Sequence, residues 1–179
     1  MERTINQYNE IITVCRKLFA DKLKDYGAAW RILRTTSLTD QIFIKANRIR
    51  SLETKGNQKI PDDIRGEFIG IINYAIIALI QCERGFADVV DIEELEALNL
   101  YDKYFVEARE LMEKKNHDYG EAWRQMRISS LTDLILMKLY RTKQIENNDG
   151  KTKVSEGADA NYFDMINYAV FALIKMNEN

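Results

Sequence analysis

The feature that most constrains this chain is that it repeats itself. Asp25-Tyr26-Gly27-Ala28-Ala29-Trp30-Arg31, then Ser37-Leu38-Thr39-Asp40, returns 93 residues later as Asp118-Tyr119-Gly120-Glu121-Ala122-Trp123-Arg124 and Ser130-Leu131-Thr132-Asp133. A second pair, Ile72-Asn73-Tyr74-Ala75 and Ile166-Asn167-Tyr168-Ala169, recurs at an offset of 94. Residues 16–52 and 109–145 agree at 17 of 37 positions without a gap. A period this long is not that of a solenoid, so each unit is a supersecondary module in its own right.

The module reads as helical. The chain has one proline in 179 residues and is rich in helix formers. Ile5, Tyr8, Ile11, Ile12, Cys15, Leu18 and Phe19 follow helical spacing, so residues 5–24 predict an amphipathic helix. Gly27 marks a turn, a short helix follows over 28–34, and Ser37 with Asp40 three residues on predicts a capped helix to about Leu52. A polar loop over 53–59 leads to Pro61, suited to the first turn of a helix that runs to about Glu83. The second copy repeats the programme: a helix over 101–115, a short helix, a helix opened by Ser130, and a last one capped by Ser155 and ending near Met176. The expected fold is all-α, a tandem-duplicated helical bundle with three long helices and one short helix per repeat, packed as a pseudo-dimer around a shared core. The repeats are expected at 1–84 and 98–179, joined by an acidic connector over 85–97.

Charge narrows the partners. The formal net charge is −2, but residues 1–90 carry 14 Lys/Arg against 11 Asp/Glu and residues 91–179 carry 12 against 17, so the halves stand near +3 and −5. Neither is basic enough to predict direct binding of duplex DNA. The longest apolar run, Phe68–Ile80, is too short to span a bilayer. With an N-terminus that lacks the features of a targeting segment, and with Cys15 and Cys82 read as reduced core thiols, the expectation is a cytoplasmic protein with no membrane partner. Assembly into a homo-oligomer stays open.

The last helix of the second copy carries the sharpest chemical clue. Asp164 stands inside an apolar run, where a lone carboxylate must be paired, hydrogen-bonded or bound to a cation. Asn167 and Tyr168 follow on the same face, and Glu156-x-x-Asp159 precedes it. Such a set suits Mg²⁺, with Glu156, Asp159 and Asp164 as ligands; the structural alternative is a salt bridge from Asp164 to Lys138 or Arg141. The first copy has Gly70 for Asp164, Arg65 for Asp159 and Asp62 for Glu156, so only the second copy is expected to carry a full set. Lys138 and Arg141, repeated as Lys45 and Arg48, present either a phosphate-binding pair or a solvated helix face. Asp118 reads as a helix cap or a pocket residue, Asp133 as a cap, and Trp30 and Trp123 as core anchors.

Lys115-Asn116-His117-Asp118-Tyr119-Gly120, then Leu131-x-Asp133, Lys138-x-x-Arg141 and Asp164-x-x-Asn167-Tyr168-Ala169, resembles the nucleotide modification associated domain of phages and bacteria. That family is similar in turn to the all-α nucleoside triphosphate pyrophosphohydrolases of the MazG and dimeric dUTPase type, whose Glu-x-x-Glu and Glu-x-x-Asp motifs bind Mg²⁺. The resemblance implies a nucleotide-handling protein, in which Lys138 and Arg141 hold phosphates and Asn167, Tyr168 and Asp118 shape the pocket. Glu156-x-x-Asp159 matches the second motif; the first has only the loose counterpart Glu107-x-x-Glu110-x-x-Glu113, which the first copy lacks. The resemblance therefore leaves two functions open: Mg²⁺-dependent hydrolysis of a nucleoside triphosphate, or a non-catalytic nucleotide-binding or interaction module.

Overall fold

The computed structural model describes residues 1–55 and 61–178, with the side chains of Pro61 and Asp62 outside that description. Among the described residues there are six long helices: α1 (Glu2–Tyr26), α2 (Thr35–Lys55), α3 (Pro61–Arg84), α4 (Glu94–Tyr119), α5 (Ile128–Asn147) and α6 (Ala158–Glu178). Two short 3₁₀ turns, Ala29–Ile32 and Ala122–Gln125, carry the tryptophans. Each repeat thus has the expected three long helices and one short one. Part of the expected polar loop, residues 56–59, lies outside the described residues.

The helices form three layers of two, each layer pairing a helix with its counterpart in the other repeat: α2 with α5, α3 with α6, and α1 with α4. The middle layer is α3 and α6, which contact both outer layers. Their sequences require that place. Ala75, Ile76, Ile77, Ala78, Leu79 and Ile80 on α3, and Ala169, Val170, Phe171, Ala172, Leu173 and Ile174 on α6, are buried one after another, so burial goes around the helix rather than along one stripe. Burying one such Phe or Ile side chain is worth about 1.5–3 kcal/mol. One continuous core runs through both repeats.

Reciprocal bonds reveal an approximate twofold. Asn73 on α3 donates to the Cys15 carbonyl (3.1 Å) and accepts from the Tyr101 hydroxyl (2.8 Å). Asn167 on α6 donates to the Ala108 carbonyl (3.1 Å) and accepts from the Tyr8 hydroxyl (2.8 Å). The repeated aspartates work in the same way across α2 and α5: Asp40 pairs with Lys143 at 3.3 Å and Asp133 with Arg50 at 3.8 Å. Asp133 is therefore no capping residue, because α5 begins at Ile128 and Ser130 already lies within it. Likewise α6 begins at Ala158, beyond the expected cap Ser155. Cys15 is buried as expected, but Cys82 is exposed and is not a core thiol.

Gly27 and Gly120 end α1 and α4 with φ of +66° and +59°, a conformation that glycine adopts without steric cost. The 3₁₀ turn that follows is fastened from the last helix of its own repeat. Gln81 donates to the carbonyls of Leu33 (2.6 Å), Arg31 (2.9 Å) and Trp30 (3.3 Å), while Lys175, the corresponding residue, donates to the Arg124 carbonyl at 2.6 Å.

Candidate functional site

Asp164 sits on α6 with its carboxylate held by two ammonium groups, Lys115 of α4 at 2.6 Å and Lys138 of α5 at 2.7 Å. It is 9% exposed, so the two cations answer the cost of burying the charge. The ion-pair alternative is the one observed, with Lys138 and Lys115 as partners. Arg141 is exposed and makes no ion pair among the described residues.

The expected Mg²⁺ ligands do not converge. Glu156 precedes α6 and is exposed. Asp159 lies in the first turn, five residues before Asp164 and so on a different face. It lies near the Cys82 thiol instead; although that residue is exposed, partial desolvation of its sulfur, with the charges of Asp159 and Glu146 adding to it, pushes the thiol up to about 11. Among the described residues no group of three His, Cys, Asp or Glu side chains is placed to hold a metal ion. The donor set does not fit Mg²⁺, since Asp164 already has two cations and lacks carboxylate companions.

The other expected pocket residues separate as well. Asn167 uses its amide in the core bonds described above, and Asp118 is exposed at the end of α4, 3.4 Å from the His117 ring. The cap of the second 3₁₀ turn is Glu121, with a left-handed φ of 57°, and not Asp118. Tyr168 is partly buried, and burial reinforced by the Asp164 charge raises its hydroxyl pKa.

At the corresponding position in the first repeat there is no carboxylate, and a cavity lies beside it. A cavity of about 360 Å³ lies between α1, the first 3₁₀ turn, α2 and α3, with Lys22, Trp30, Lys45, Gly66, Gly70 and Tyr74 on its wall. Gly70 occupies the place of Asp164. The Lys45 chain lies across it, and a Cβ added at Gly70 would meet the Lys45 Cε at 2.8 Å. Lys45 approaches the Tyr74 ring (5.6 Å to its centroid) and Glu67 (3.4 Å), while Glu67 is held more closely by Arg48 at 2.6 Å. Glu67 is one turn before Gly70, where the second repeat has Asn161; each repeat thus keeps one carboxylate for this lysine, at different turns of the helix. Lys22, the counterpart of Lys115, makes no ion pair among the described residues. Two glycines within α3 cost about 0.5–1 kcal/mol each relative to alanine, so the opening is not free.

Lys22 was missing from the sequence-based site, although Lys22 and Lys115 are identical at the same offset as the other repeated charges. The sequence marked Gly70 as the place where a carboxylate is missing, but the cavity beside it is walled by residues of several segments and was not legible there.

Fold and site together define an all-α, internally duplicated bundle in which one repeat closes a polar pocket with its own carboxylate and the other leaves it open. A family profile described as Nucleotide modification associated domain 1 matches residues 22–82 and 115–176, and the chain belongs to that family as a tandem copy. No curated protein and no solved structure gives a significant match.

Proposed function

We propose that this protein binds a nucleotide and that the first-repeat cavity is its site. The observation that carries this reading is the combination, in one cavity, of aromatic walls (Trp30, Tyr74) and two ammonium groups (Lys22, Lys45). Aromatic rings stack on a base and ammonium groups hold phosphate oxygens. The volume is within the usual range for small-molecule sites, about 300–1,000 Å³. The family's description, with its reference to nucleotide modification, agrees with such a ligand.

Pyrophosphohydrolysis is the less favoured reading. It needs carboxylates gathered on a cation, whereas Glu156, Asp159 and Asp164 face different surroundings and Asp164 is already neutralised. Calorimetric titration with a panel of nucleotides, with and without Mg²⁺, tests both. Binding by wild type and at least tenfold weaker binding by Lys45→Ala is expected, a loss of about 1.4 kcal/mol or more. No binding across the panel rejects the reading. Mg²⁺-dependent pyrophosphate release that Asp164→Asn abolishes would instead favour the hydrolase.

A further inference from the structure

The second repeat fills with its own side chains a region that in the first is a cavity with the flexible Lys45 side chain lying over Gly70 at its edge. The Asp164 carboxylate stands between Lys115 and Lys138, and the Phe171 ring lies flat on Trp123, with centroids 4.2 Å apart and planes 4° apart. The Arg124 guanidinium also lies over the Trp123 ring, 4.4 Å from its centroid. The first repeat keeps what these groups touch, namely Lys22, Lys45 and Trp30, but has Gly70 in place of Asp164 and Ile77 in place of Phe171. Arg31, the counterpart of Arg124, is turned away to Gln81, Gly85 and Asp91. Both an anion and a flat ring have been removed, and both receptors remain.

Resting on the nucleotide-binding reading above, we propose that the ligand is a nucleoside monophosphate. Its phosphate takes the Asp164 position, the flexible Lys45 side chain swinging off Gly70 to hold it from one side and Lys22 from the other, and its base takes the Phe171 position, against Trp30. Asp164 and Phe171 are seven residues apart on one helix, at most about 10 Å along the axis, and a nucleoside monophosphate separates its ring and its anion by no more than that. Two ammonium groups match a single phosphate group of charge near −2. Along α3 the order is Ile77, Gly70, Glu67, so a phosphate chain extended past Lys45 runs toward the Glu67 carboxylate, and Arg48, the next cation along, is bound to Glu67 at 2.6 Å.

Calorimetry with a nucleoside 5′-monophosphate, the parent nucleoside and the corresponding triphosphate tests the assignment on the full chain. The monophosphate is expected to bind at least tenfold more tightly than either of the others. Gly70→Asp, which supplies the carboxylate from within, is expected to weaken monophosphate binding at least tenfold while the melting temperature holds or rises; Ile77→Phe acts in the same direction from the base end. Lys22→Gln, on the exposed rim, is expected to weaken binding about fivefold and stands in for Gly70→Asp if that variant does not fold. Unchanged affinity in Gly70→Asp and Ile77→Phe, or a nucleoside or triphosphate that binds as tightly as the monophosphate, overturns this inference and leaves nucleotide binding intact. Failure of all nucleotides to bind removes both.

Discussion

Asn73 and Asn167 each give a second bond to a helical carbonyl and accept from a buried tyrosine hydroxyl on another helix, so an apolar substitution at either would leave that hydroxyl without its acceptor. A second reciprocal arrangement involves titratable groups. Glu146 accepts from the hydroxyl of Thr39 at 2.7 Å and from that of Tyr162 at 3.1 Å, and Glu53 is placed correspondingly against Thr132. Burial raises both carboxyls above their usual 4.5, with Asp40 adding to the effect at Glu146 and Lys143 opposing it, and with Asp133 and Arg50 doing the same at Glu53. A raised carboxyl means that the folded chain binds more protons than the unfolded chain between 4.5 and the raised value. This contribution to stability is therefore complete below pH 4.5 and is lost as pH rises through the folded value. Glu146→Gln keeps an acceptor for both hydroxyls and removes the titration. Relative to wild type, the variant is expected to gain stability as pH rises from 4 to 7. Urea unfolding at several pH values checks this, and a difference that is flat or opposite in slope contradicts it.

At the scale of elements, the tie between the last helix of each repeat and the preceding 3₁₀ turn differs in strength. Gln81 holds three carbonyls and also accepts from the Arg31 guanidinium, whereas Lys175 holds one carbonyl. Gln81→Ala takes the side-chain donor from the Leu33 carbonyl and one of several partners from the Trp30 and Arg31 carbonyls and the Arg31 guanidinium, and is expected to cost about 2 kcal/mol. Lys175→Ala should cost about half of that. Equilibrium unfolding in urea measures both, and equal losses would refute the account. Helix existence was legible from apolar spacing, while helix starts were less so. Ser37, Ser130 and Ser155 look like caps, yet α2 and α5 begin two residues earlier and α6 three residues later. A cap signal is local, and tertiary contacts decide where the helix begins.

For the molecule as a whole, the continuous core argues that neither repeat is independent. The middle layer is shared, and separating the repeats would expose the faces of α3 and α6 to water. One cooperative transition is expected. Each repeat carries one buried tryptophan, so Trp123→Phe leaves Trp30 reporting the first repeat and Trp30→Phe leaves Trp123 reporting the second. In each variant the fluorescence midpoint should coincide with that of far-UV circular dichroism. Two separated midpoints within one variant would mean that the repeats unfold apart. Among the described residues, no helix is long and apolar enough to cross a membrane.

Sequence alone determined that this is a duplicated all-α protein and that the Asp164/Gly70 pair is where the copies diverge. Periodicity and internal identity carry that information, because each depends on residues read one at a time or at a fixed offset. Only the tertiary structure decided what the divergence means. Lys115 and Lys138 reach Asp164 from two other helices, Glu156 lies outside the helix that carries Asp164, and Gly70 borders a cavity walled by Lys22, Trp30 and Tyr74. A carboxylate's partners and the space left by a missing side chain belong to the packing of distant segments, and no local spacing records them.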